Sequence, residues 1–219
     1  MDATTVTGGF AHAAHGSAHA FRATLEAMAR PGAAQTLRGA QGPAPMSAAA
    51  SALLLTVLDH GTPLALLGDF DRGAVRDWLR FHTACSFSTP EQAAFVLTDW
   101  AHALPLERFA QGSAAYPDQS ATLIVELVQW GEPRVRLSGP GLPHATPATL
   151  PFDPALVSNH QGFPLGVDFL FTCGDQVVGL PRSTQVEELS CHSVSPVLVG
   201  ANGSALIAVT GVFDKDWLR

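Results

Sequence analysis

The chain has 219 residues, 47% of them hydrophobic and 14% charged, with 12 basic residues and a formal net charge of −7. That balance argues against a nucleic-acid binder, which needs a basic stripe to displace counterions, and no run reaches the roughly 18 apolar residues of a membrane-spanning helix. Charge falls below the roughly one quarter usual in a soluble chain, a balance shared by subunits that hide surface in an assembly and by Ala-rich enzymes.

The opening stretch, MDATTVTGGFAHAAHGSA, has no basic region or long apolar core and reads as a flexible N-terminus over residues 1–15 rather than a secretory signal. After Gly16-Ser17, Phe21, Leu25 and Met28 recur at helical spacing and predict an apolar helix face, stopped at Pro31-Gly32. Ser47 is the expected N-cap of a helix through AAASALLLTVLDH that closes at Gly61. Thr62-Pro63 then opens a short apolar strand, and Asp71 is the expected N-cap of GAVRDWLRFH.

Ala94–Leu97 and Leu123–Val128 read as buried strands. Arg134–Leu137 alternates into a Ser138-Gly139-Pro140-Gly141 turn. The proline-rich stretch from Leu142 to Pro154 reads as irregular loop, because proline supplies no ladder donor, and Ala155–Gln161 reads as a short helix. Phe169–Cys173 and Gln176–Leu180 flank Gly174-Asp175, the signal of a type II′ hairpin. Two further strand-like runs, Pro196–Val199 and Ala205–Thr210, follow Glu187. The order predicts a single α/β domain, three-layered αβα with a mixed sheet.

Chemistry-bearing residues are sparse. Lys215 is the only lysine, so neither a buried Schiff-base lysine nor a Walker-A lysine is expected. His12, His15 and His19 share a helical spacing that could hold a metal, but no carboxylate lies among them and no metal is expected. Cys85, Cys173 and Cys191 form no CxxC, which suits a reducing cytoplasm, and the adjacent Cys191-His192 cannot aim thiolate at imidazole. No GxSxG elbow occurs.

Four residues remain as anion, ligand or interface candidates. Arg80, near His82-Thr83, and Arg182, after Pro181, carry the guanidinium fork that suits phosphate or carboxylate. Each could equally pair with a local acid such as Asp77 or Glu187. Asp168 sits between apolar residues and must be paired or accept backbone donors; it is either a structural tie to the Phe163-Pro164-Leu165-Gly166 turn or a functional carboxylate. No catalytic residue and no self-sufficient active site emerge.

Phe21-Arg22 to Pro31-Gly32, LLLTVLDHGTP ending at Pro63, Leu79–Thr83, Pro90–Ala93, Pro117–Leu123, Arg136–Gly141 and above all Phe163–Glu187 together resemble the H-subunit family of bacterial carbon–phosphorus lyase (PhnH), over roughly residues 16–187. The resemblance implies an accessory subunit that works with G, I and J subunits in organic phosphonate catabolism, in the synthesis of ribose 1-methylphosphonate 5-triphosphate. It implies a homodimer in isolation, a degenerate pyridoxal-phosphate transferase fold without the cofactor, and no catalytic residue of its own. A stand-alone nucleotide- or sugar-phosphate-binding homodimer or enzyme, using Arg80, His82, Asp168 or Arg182, is the competing expectation. Residues 188–219 continue past the resemblance as a C-terminal extension.

Overall fold

A computed structural model describes residues 7–189. In chain order these form α1 (Ala13–Ala29), β1 (Gln35–Thr36), α2 (Ala48–Val57), β2 (Pro63–Leu66), α3 (Gly73–Thr83), β3 (Ser86–Phe87), β4 (Phe95–Asp99), β5 (Thr122–Glu126), β6 (Val135–Ser138), β7 (Thr146–Ala148), α4 (Pro154–Gln161), β8 (Asp168–Cys173), β9 (Gln176–Leu180) and β10 (Gln185–Glu188). The strand-like runs expected at 196–199 and 205–210 lie outside the described residues.

A seven-stranded sheet runs in the order β1-β9-β8-β5-β4-β2-β3. From β8 to β3 its strands are parallel, and β9 and β1 join antiparallel at one side. The mixed sheet expected from the sequence is therefore present. Parallel strands need cover on both faces, and the interiors of β4, β5 and β8 are buried throughout. Alternate side chains divide between the faces, as the period of two demands. Leu97, Ile124 and Leu170 join α1, α2 and α3 in one core. Val96, Leu123, Val125, Phe169 and Phe171 join the other. That second core is closed by α4 together with a three-stranded antiparallel sheet, β10-β6-β7, so the outer layer on this side is only partly helical.

Several local expectations are corrected. Phe21 and Leu25 do not face the core; they are 51% and 54% exposed, while Ala20, Thr24 and Ala27 point inward. The cause is close approach: a Cβ on Gly179 of β9 would lie 2.5 Å from the Ala27 carbonyl oxygen, so only small residues fit beneath α1. The helix also starts at Ala13, before Gly16, and residues 7–9 of the expected flexible terminus make packed contacts: the Thr7 carbonyl accepts the Trp78 indole N–H at 2.8 Å and the Gly8 carbonyl accepts the Gln41 amide at 2.7 Å.

Ser47 does cap α2, its Oγ accepting the Ala50 amide, but the helix stops at Leu58 rather than Gly61. There the Asp59 carboxylate takes both the Gly61 amide and the Thr62 hydroxyl, fixing a turn of its own. The cap of α3 is Arg72, not Asp71, whose carboxylate pairs with Arg76 instead. Strand β5 ends at Glu126, leaving Val128 fully exposed.

The proline-rich loop contains a strand after all. Pro147 lies in β7 opposite Arg136, and β7 is the edge of its small sheet, where a missing donor costs no ladder bond. The β8–β9 connection carries positive φ at Gly174 and not at Asp175, the pattern a type II′ turn requires. No helix among the described residues is long and apolar enough to cross a membrane.

Candidate functional site

Asp168 opens β8, which places it at the amino ends of the parallel strands. Its Oδ1 accepts the Arg182 backbone amide at 2.8 Å and the guanidinium Nε at 3.2 Å, and its Oδ2 accepts Nη2 at 2.6 Å. The Arg182 Nη1 donates to the Pro117 carbonyl at 2.9 Å and reaches the Pro164 carbonyl at 3.5 Å. Both side chains are largely buried, at 13% and 17% exposed. The fork is thus spent on protein oxygens from three segments, which leaves it poorly placed to take an external anion. His160 reaches the Arg182 carbonyl through Nδ1 at 3.2 Å.

Asn159 completes this end of the molecule. Its side chain donates to the Val167 carbonyl and accepts the Val167 amide, imitating a strand partner, and a Cβ on Gly166 would sit 2.6 Å from its Oδ1. Sequence reasoning missed Asn159. Its only signal was a polar side chain in the helix before the Gly166 turn.

Arg80 and His82 sit elsewhere, on α3 among the helices. Arg80 lies over the Phe87 ring at 5.4 Å, alongside Arg76 at 4.7 Å. His82 packs between Trp78 and Phe81, at ring separations of 4.7 and 5.0 Å. The structure brings Asp168 and Arg182 together and keeps Arg80 and His82 apart from them. His12 and His15 lie 6.5 Å apart by ring centre, and no cluster of three metal-ligating side chains forms among the described residues.

The carboxyl ends of the parallel strands, where open α/β sheets bind ligands, hold a different set. Asp99 ends β4, Glu126 ends β5 opposite it, and Thr172 lies opposite Glu126 on β8. Glu126 Oε2 accepts the Ser47 hydroxyl at 2.9 Å and the Thr172 hydroxyl at 2.8 Å. Burial outweighs these hydroxyls and pushes its pKa up from 4.5 to about 7. Burial, and then the neighbouring Glu126 charge, push the Cys173 thiol upward too, so this cysteine is a poor nucleophile at neutral pH. Asp99 binds the His102 ring through Nδ1 at 2.9 Å and also accepts its backbone amide. A Cβ on Gly68 would lie 2.7 Å from both partners. The signal for Glu126 was available: a carboxylate at the end of the apolar run Leu123-Ile124-Val125.

With this geometry in hand, known proteins give the context. The chain is 33% identical over 191 residues to subunit PhnH of alpha-D-ribose 1-methylphosphonate 5-triphosphate synthase from Rhizobium meliloti (strain 1021), covering 83% of this chain and 95% of that protein. It is also 33% identical over 179 residues to HtxG of Stutzerimonas stutzeri, named there as a candidate C-P lyase subunit, covering 79% and 87% of the two chains. The family model described as bacterial phosphonate metabolism protein (PhnH) matches residues 8–187, nearly the whole of the two cores and the sheet between them. The chain therefore belongs to the PhnH family of bacterial phosphonate metabolism proteins.

Proposed function

We propose that this chain is an accessory subunit of a carbon–phosphorus lyase assembly, supporting the formation of ribose 1-methylphosphonate 5-triphosphate in organic phosphonate catabolism. The observation that carries the reading is the family match across residues 8–187, joined by a relative whose name places it in that synthase. The site geometry supports an accessory rather than an independently catalytic role. The Asp168–Arg182 pair has its hydrogen bonds made within the protein, and Arg80 and His82 pack against aromatic rings.

In this reading the partners are the G, I and J subunits, the isolated protein is a cytoplasmic homodimer, and the fold derives from a pyridoxal-phosphate transferase that no longer holds its cofactor. The mixed sheet and the absence of any lysine before Lys215 support that last point. Co-expression with the G, I and J subunits tests the assembly. A tagged chain should recover all three through size exclusion; recovery of none from a folded sample overturns the reading.

A further inference from the structure

Between α1 and β1 lies an open surface groove of about 640 Å³, inside the size range of small-molecule sites, which runs to about 1,000 Å³. Its helix wall is built from small residues, Ala20 and Ala23, and its other wall from Gln35 to Gly39. Two exposed arginines line this space, Arg22 from the helix and Arg38 from the segment after β1.

The helix-spaced partner for Arg22 is Glu26, but the Glu26 carboxylate is taken by Arg30 at 2.9 Å. Arg22 forms no ion pair or hydrogen bond with any described residue. Arg38 is held differently: its Nε and Nη2 both reach Asp175 Oδ2, at 2.7 and 2.6 Å. That exposed ion pair leaves Nη1 without a described partner. His19 adds a third nitrogen-bearing side chain to the lining. The one carboxylate in the lining, Glu26, is paired with Arg30, and Arg38 is in turn paired with Asp175, so the uncompensated charge is that of Arg22. In a chain of net charge −7, this is a local surplus of positive charge around a groove of ligand size.

We propose that this groove is a binding site for a small organic oxyanion. Its charged head, a phosphate ester or a carboxylate, lies between Arg22 and Arg38, and its body lies on Ala20 and Ala23. A guanidinium fork matches the oxygen spacing of either head group. The site rests on the groove alone and does not depend on the subunit reading, so the two can fail separately.

Calorimetric titration of the full chain with inorganic phosphate, and in a second arm with malonate, tests it. At least one anion should bind with a dissociation constant below about 10 mM, and the arm that does so identifies the head group. Arg22→Ala should weaken that binding tenfold or more, while Arg136→Ala, an exposed arginine on the small sheet, should not. Should Arg22→Ala fail to fold, Arg22→Gln takes its place with the same two outcomes. No binding in either arm by a folded sample, unchanged affinity in the Arg22 variant, or an equal loss in Arg136→Ala overturns the proposal.

Discussion

Glu126 is half-buried at the carboxyl end of β5 with two hydroxyl donors and no ion pair to any described residue. Hydroxyls solvate a carboxylate less well than water does, so the protonated form is favoured and the pKa rises to about 7. The folded value lies above the unfolded one. The stabilising contribution is therefore complete below the unfolded value near 4.5 and is lost as pH rises through about 7. A shift of this size corresponds to roughly 3 kcal/mol. Glu126→Gln keeps the shape and both hydroxyl bonds but removes the ionisation. Urea unfolding at about pH 5 and about pH 8 should show the wild type losing up to about 3 kcal/mol more than the variant over that interval; parallel pH curves would refute the assignment. The opposite case is Asp168. Its partner Arg182 supplies three donors, and removing one side of such a buried pair leaves the other charge stranded. Arg182→Ala should cost about 3 kcal/mol in the same assay; a loss below about 1 kcal/mol would mean the pair is no structural tie.

At the level of elements, the contact of α1 with β9 is the least forgiving. A methyl group at Gly179 would meet the Ala27 carbonyl, which is backbone and cannot rotate away. Gly179→Ala should lower stability by about 1–3 kcal/mol through displacement of α1, seen as a lower melting temperature; an unchanged melt would show that the helix rides higher. The same contact explains why the sequence misled about this helix. Helical periodicity was legible, but which face turns inward depends on the space left by a glycine some 150 residues later. Strands β4, β5 and β8 were legible because burial on both faces leaves nearly continuous apolar runs. Strand β7 was not, because whether Pro147 is tolerated depends on its being an edge, a fact of topology. The site followed the same division. That Asp168 needs a partner could be read from its apolar neighbours, whereas its pairing with Arg182, 14 residues away, could not, because pairing across a hairpin leaves no local trace and Glu187 lies nearer to Arg182 in sequence.

On the scale of the whole molecule, both cores are built on the two faces of one sheet. Leu97 and Ile124 look toward the helices while Val96, Leu123 and Val125 look toward the small sheet, along the same strands β4 and β5. Stripping the cover from either face would leave the parallel strands bare on that side, so the two cores should unfold together. The tryptophans make this measurable. Trp78 is fully buried in the helical core, whereas Trp100 and Trp130 pack on the opposite one. In a Trp217→Phe background, which removes the fourth tryptophan of the chain, a Trp78→Phe variant keeps its tryptophan signal on the small-sheet side, and a Trp100→Phe/Trp130→Phe variant keeps it on the helical side. Each variant shifts stability slightly, so the comparison is made within each protein, between its fluorescence and its far-ultraviolet circular dichroism. In both, the fluorescence midpoint in urea should coincide with the dichroism midpoint, and the denaturant slopes should agree. A fluorescence transition that precedes the loss of secondary structure in one variant and not in the other would mean that one face comes off while the sheet persists. The molecule would then be two cooperative units sharing a wall.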